Sequence, residues 1–146
     1  MMNWIILFGG VGREICIERM LAEGIMVQAI IIPEQRSVRL EQSILKLRKL
    51  PCELIEAKKA DLPNILQSFR GMGLFSIGFP YLVTGRTLSL FQLALNIHPT
   101  LLPRYRGPAS GAYILINGEN ESGSTVHFMT AKMDQGDIVA QSRISL

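Results

Sequence analysis

The chain is short of the residues that announce a disulfide scaffold, a metal site or a membrane span. It holds two cysteines and two histidines, too few for a disulfide framework, and no spacing among them matches a metal-ligand motif, so no metal is expected. Cys16 and Cys52 lie in apolar or helical contexts and read as buried free thiols of a reducing cytosol. Charge of one sign is scarce too: 15 basic against 12 acidic residues leave a net +3, scattered along the chain. So mild a surplus makes no case for nucleic acid and supports at most a weak preference for anionic ligands over plain solubilising charge. The opening apolar run W-I-I-L-F follows no basic n-region and is far too short to cross a bilayer. No membrane association and a cytoplasmic location are the expectation. What is present, 48% hydrophobic and 18% charged residues, describes a globular domain able to bury a core, and we read 1–146 as that one domain.

Periodicity divides the chain. Trp4 to Phe8 is a continuous apolar run ending in Gly9-Gly10-Val11-Gly12, the pattern of a parallel strand entering a tight turn. Ile15, Ile17, Met20 and Leu21 recur at helical spacing until Gly24, and Val27 to Ile32 is a β-branched strand stopped by Pro33. Ser37 is a candidate cap for a basic amphipathic helix carrying Val38, Ile44, Leu45 and Leu50. Glu53 to Ala57 reads as a third strand. Asp61 is expected to cap a helix with Pro63 in its first turn, running to about Arg70. Strands follow over Leu74 to Gly78 and Leu93 to Ile97, with a short helix between them over Thr84 to Phe91. A helix over Gly107 to Asn117 then precedes two runs, Ser124 to Met129 and Ile138 to Ile144, whose turn-rich separation predicts an antiparallel pair. That order predicts an α/β fold: a Rossmann-like, mostly parallel sheet with helices on both faces and a C-terminal antiparallel hairpin.

The glycine-rich turn invites a dinucleotide reading and fails it. The G-x-G-x-x-G fingerprint needs its third glycine where this chain has Ile15. A turn that lets strand and helix pack closely accounts better for these glycines.

The informative stretch is N-I-H-P-T-L-L-P-R-Y-R-G, from Asn96 to Gly107. It follows a predicted strand and so lies at a carboxyl end, where open α/β sheets place ligands. If the strand continues through Ile97, Asn96 and His98 project from one face. An amide donor beside an imidazole suits a reaction that develops charge on a carbonyl oxygen. Taken alone, this histidine is better explained as a bonded core or loop residue. His127, in mid-strand, reads as structural.

This stretch closely resembles the signature of the folate-dependent formyltransferases, N-x-H-x-S-L-L-P-x-x-x-G. The downstream run G-S-T-V-H-F-M-T-A-K-M-D-Q-G-D-I-V-A-Q resembles that family's second block, with its D-x-G turn. The resemblance implies that formyl transfer from 10-formyltetrahydrofolate to a primary amine is the reaction, with folate and a small-molecule amine as partners. By that resemblance Asn96 binds the formyl oxygen, His98 as a cation stabilises the oxyanion, and Asp134 orients the pocket and aids proton transfer. It likewise implies folate contacts from Gly78, Phe79, Pro80, Tyr81, Leu82 and Val83, and from Met133 and Gly136. Pro99, Thr100, Arg104, Arg106, Gly10 and Gly12 are the candidate substrate contacts, the two arginines being either phosphate ligands or solvated.

Relatives of this kind run longer, past the D-x-G block into further helices, so the resemblance implies a fold shortened at Leu146, with a homodimer or other partner as an expectation. A tRNA-recognising domain is not expected here, which argues against nucleic acid. Glycinamide ribonucleotide enzymes of the family use a Ser/Asn-bearing turn after the first strand, where this chain has Gly10-Val11-Gly12-Arg13-Glu14. A nucleotide-linked amino sugar is the acceptor this leaves in front. The alternatives are methionyl-tRNA formyltransferase represented by an incomplete chain, a non-catalytic folate-binding module, and a formyl-folate hydrolase.

Overall fold

The computed structural model describes residues 1–108 and 110–146, which form two compact units, Met1–Ala94 and Leu95–Leu146. The first unit is built on a parallel sheet of β1 (Trp4–Phe8), β2 (Val27–Pro33), β3 (Glu53–Ala57) and β4 (Gly73–Ile77), in the order β3-β2-β1-β4. Central β1 pairs Ile6 with Ile30 on one side and with Phe75 on the other. Ile5, Ile6, Leu7 and Phe8 are wholly buried, which is why this strand reads as an unbroken apolar run rather than an alternating one. Each such side chain removed to alanine would cost about 2–5 kcal/mol.

Three helices belong to this unit besides one single turn of helix. In α1 (Glu14–Ala22), Ile17 is buried and Ile15 exposed, and Glu14 in the first turn is buried against Lys46 of the second helix. The carboxylate there suits the positive end of a helix. Helix α2 (Val38–Leu47) begins as expected, with Ser37 Oγ accepting the Leu40 amide. Its buried face is Leu40, Ser43, Ile44 and Leu47. Val38 and Leu45, expected on that face, are exposed, because the face follows i, i+3, i+4 and i+7 from Leu40. Helix α3 (Leu62–Gln67) stops short of Arg70, and Asp61 precedes it without a side-chain cap. Helix α4 (Gly85–Leu88) is one turn, capped by Thr84, where a run to Phe91 was expected.

The glycines after β1 have more than the one reason expected. A Cβ on Gly9 would lie 2.5 Å from the Gly78 carbonyl oxygen, and one on Gly78 would lie 2.9 Å from the Gly10 Cα. At Gly9 and Gly78 the close approach is between the ends of β1 and β4, while a Cβ on Gly10 would meet the Arg13 side chain at the start of α1, at 2.7 Å, as expected of a strand packed closely on its helix. Gly78 also lies outside β4, at φ +65°.

The second unit holds β5 (Leu93–His98) from Leu95 onward, α5 (Ser110–Ile116), β6 (Glu121–Phe128) and β7 (Ile138–Ser145). Here the pairing is antiparallel, β5 with β6 and β6 with β7. The fold is thus the expected α/β type, mostly parallel and closed by the C-terminal hairpin β6–β7. Helix α5 starts later than Gly107, which takes φ +86°; Ala109, within the expected helix, lies outside the described residues. Among the described residues no helix is long and apolar enough to cross a membrane.

Candidate active site

Strands β5 and β6 and two turns of the second unit converge on one carboxylate. Asn96 and His98, two apart on β5, share a face as expected. Their cross-strand partners on β6 are His127 and Thr125. Opposed residues of an antiparallel pair point the same way, so the pairing adds an imidazole and a hydroxyl to that face. The turn joining β6 to β7 then brings Asp134 over it. Asp134 sits at φ +52°, a conformation aspartate tolerates better than most side chains.

The distances define a bridge. Asp134 Oδ2 accepts the Gly107 amide at 2.9 Å and lies 3.5 Å from His98 Nδ1. Its Oδ1 lies 3.5 Å from His127 Nε2. Both imidazoles are almost fully buried, at 6% and 3% side-chain exposure, and the carboxylate is at 10%. Burial by itself would push the Asp134 carboxyl up. His127, the Gly107 amide and the positive charge available to both imidazoles outweigh it and hold the carboxyl below its ordinary value.

Backbone carbonyls settle which ring nitrogens carry protons. A carbonyl can only accept, so His98 Nε2 donates to the Tyr105 carbonyl at 2.7 Å, leaving Nδ1 toward Asp134. His127 Nδ1 donates to the Phe128 carbonyl at 2.9 Å, leaving Nε2 toward the Asn96 amide nitrogen at 3.1 Å. The arrangement therefore offers an amide N–H, an imidazole able to carry charge, and a carboxylate beside it. That set can stabilise negative charge on a carbonyl oxygen and accept a proton.

The loop after β5 is tied down from within. Thr125 Oγ1 donates to the Thr100 carbonyl at 2.7 Å and accepts from the Leu102 amide and from Gln141 Nε2, each at 3.0 Å. Thr100 is wholly buried, its hydroxyl donating to the Arg104 and Tyr105 carbonyls. It therefore holds the loop, where a substrate contact was expected of it. Arg104 is half exposed and paired with Glu119, while Arg106 is exposed and Pro99 half-buried. Tyr105 Oη also donates to Glu119, at 2.5 Å, so Glu119 gathers both residues.

The remaining candidates divide between exposed and spent. Gly10 is buried, and Gly12 is exposed with its amide bonded to Ser43 Oγ at 2.9 Å. In 78–83, Val83 is buried, Phe79 and Tyr81 are half-buried with their rings edge to face at 5.2 Å, and Gly78, Pro80 and Leu82 are exposed. Met133 is exposed. Gly136 is glycine for a steric reason, since a Cβ there would fall 1.8 Å from the Phe128 carbonyl oxygen. The residue missed by the sequence reading is His127. Its signal was available, in that the chain has two histidines and both border Asp134, but only the β5–β6 register reveals it.

The family described as formyl transferase matches residues 74–146, half of the chain. GDP-perosamine N-formyltransferase of Brucella melitensis is 31% identical across 99% of the chain, which spans 58% of that protein. Methionyl-tRNA formyltransferase of Lactobacillus acidophilus is 35% identical across 89% of the chain, covering 45% of its own length. The crystal structure of glycinamide ribonucleotide transformylase 1 from Symbiobacterium toebii superposes with a TM-score of 0.79 at 26% identity, over 99% of this chain and 74% of that one. The chain thus spans about half the length or less of most of the curated relatives it matches, and within that span it belongs to the formyl transferase family.

Proposed function

We propose that the protein transfers a formyl group from 10-formyltetrahydrofolate to a primary amine, with 1–146 acting as its catalytic domain. The observation that carries this is the cluster of Asn96, His98 and Asp134 on one face of the second unit. The donor set fits the group. In the second unit an amide and a chargeable imidazole suit a formyl oxygen, and in the first unit the half-buried rings of Phe79 and Tyr81 with exposed Leu82 are by themselves apolar surface of the kind that suits the flat part of a folate. The bound folate supplies a carbonyl carbon open to attack by an amine. Asn96 donates to the oxygen on which charge develops, and His98, held by the Tyr105 carbonyl, turns its other nitrogen to Asp134. Asp134 stabilises the imidazolium and relays the proton released by the amine, directly or through water, toward the folate nitrogen whose bond to the formyl carbon breaks as tetrahydrofolate leaves.

For the acceptor we favour a nucleotide-linked amino sugar. Support comes from the GDP-perosamine enzyme, whose likeness runs over 99% of the chain. Exposed Arg106 is available to a phosphate of such a substrate. Methionyl-tRNA is the second reading, favoured by the 35% identity to the Lactobacillus acidophilus enzyme. A cytoplasmic setting agrees with Cys16 and Cys52, both free thiols pushed up by burial. The test is incubation with 10-formyltetrahydrofolate and a panel of amines, following tetrahydrofolate release by absorbance. Turnover with an amino-sugar nucleotide is expected. Deformylation without acceptor would instead identify a hydrolase, and calorimetric binding without turnover a folate-binding module.

A further inference from the structure

His127 Nε2 stands between two claimants, and they want opposite things of it. The Asn96 amide nitrogen, 3.1 Å away, can only donate; Asp134 Oδ1, 3.5 Å away, accepts whenever it is ionised. Because Nδ1–H is committed to the Phe128 carbonyl at 2.9 Å, neutral His127 offers a lone pair at Nε2. That lone pair fits the shorter contact, which lies within hydrogen-bond range, while the longer one does not. It also settles the amide orientation of Asn96, since turning the amide over would set Oδ1 against the same lone pair. A proton on Nε2 reverses the choice. The ring then donates to Asp134, and the Asn96 N–H loses its acceptor.

We propose that His127 is a positioning residue whose neutral imidazole fixes the Asn96 side-chain amide and so aims its second N–H at the reacting oxygen. At 3% side-chain exposure no water competes for Nε2. Directly opposed places on β5 and β6 hold the two side chains at contact distance. The charged or titratable groups around His127 are Asp134, at 3.5 Å, and His98, which shares that carboxylate. A charged His127 would therefore release Asn96 in favour of Asp134, and a formyl transferase built this way depends on the uncharged ring to keep its oxyanion donor aimed. The catalytic part of this statement rests on the function proposed above; the orientation of Asn96 does not.

The experiment uses the full chain, 15N-labelled, and follows the Asn96 side-chain amide by NMR, assigned with Asn96→Ala. In the wild-type protein the two amide protons should be widely separated at neutral pH. They should converge on acidification, and also in His127→Leu, which has no acceptor. His127→Gln, which returns an acceptor oxygen where Nε2 was, should restore the separation and abolish its pH dependence. In turnover, His127→Leu should lower kcat by about 10- to 100-fold, a fraction of what deleting an oxyanion donor costs, with KM unchanged. In an Asn96→Ala background the same substitution should have almost no further effect, because the two act as one unit. An Asn96 amide signal identical in wild type, His127→Leu and His127→Gln would overturn the proposal, as would fully multiplicative effects on kcat. A chain that transfers no formyl group would remove the proposed function alone and leave the amide signal to decide.

Discussion

Asp134→Asn exchanges one oxygen for an NH2 group and removes one charge, with almost no change of shape. The carboxylate makes three contacts: the Gly107 amide at 2.9 Å, His98 Nδ1 at 3.5 Å and His127 Nε2 at 3.5 Å. An asparagine oxygen can still accept from Gly107, so the turn should survive. What is lost is the counter-charge to an imidazolium. At 3.5 Å a pair of unit charges is worth about 5 kcal/mol at an effective dielectric near 20, and about 1 kcal/mol in bulk water. With both side chains at or below 10% exposure the first figure is the closer one. It is a gross attraction, however, and part of it is already offset by desolvation. The net loss in the transition state should resemble removal of an oxyanion-hole donor, about 2.7–4 kcal/mol, or roughly 10²–10³ in kcat.

The assay compares kcat, folate affinity by calorimetry and thermal unfolding for wild type and variant. If the carboxylate acts on the charged His98, kcat falls by that factor while folate affinity shifts by less than about threefold, since the interaction belongs to the transition state. A residue with only a packing role would behave differently, lowering stability and leaving turnover per folded molecule intact. Near-normal kcat in a folded Asp134→Asn protein would refute the assignment of this carboxylate.

Further outcomes follow from the same geometry. The Asp134 carboxyl is held below its ordinary value, so its contribution to stability is complete above the unfolded carboxylate pKa of about 4 and is lost as pH falls through the lower folded value; urea unfolding between pH 5 and 2 should be less steeply pH-dependent in Asp134→Asn. Thr125→Val keeps the shape but orphans the Thr100 carbonyl and the Leu102 amide, and should cost about 1–3 kcal/mol in denaturant unfolding. Gly136→Ala cannot be accommodated beside the Phe128 carbonyl, 1.8 Å from the new Cβ, and should lower Tm and turnover together by displacing Asp134. Ser37→Ala, remote from the site, should cost about 1 kcal/mol through loss of the α2 cap and leave kcat unchanged.

The parts of this protein that local rules govern were legible in the sequence, and the parts that depend on register were not. Strand β3 takes its expected span, where Leu54, Ile55 and Ala57 follow the break at Pro51. The buried face of α2 was misjudged because Val38 and Leu45 are apolar, and apolarity outweighed phase in the reading. Asn96, His98 and Asp134 were reached by motif, and the period-two geometry of β5 explained why the first two belong together. His127 was out of reach for a physical reason. Its neighbours are 31 residues away on β5 and seven away in a turn, and neither distance fixes a contact until the strands are paired. The same holds for Thr100, whose carbonyl accepts from Thr125 on β6.

Strain marks the same place that the motifs do. Among the described residues two non-glycine side chains adopt positive φ, Tyr105 at 56° and Asp134 at 52°. Each such conformation costs on the order of 1–3 kcal/mol and persists only where its surroundings over-determine it. Both flank His98: the Tyr105 carbonyl takes its Nε2 proton, and the Asp134 carboxylate faces its Nδ1. The surroundings that enforce them are also in view. Tyr105 is anchored through its hydroxyl to Glu119 and Asn117, and Asp134 through its carboxylate to the Gly107 amide. Relaxing either residue to an ordinary backbone would free one side of the imidazole. A histidine bonded at Nε2 to the Tyr105 carbonyl and faced at Nδ1 by the Asp134 carboxylate is restrained in its orientation, and a chargeable group so restrained needs little reorganisation when charge develops beside it.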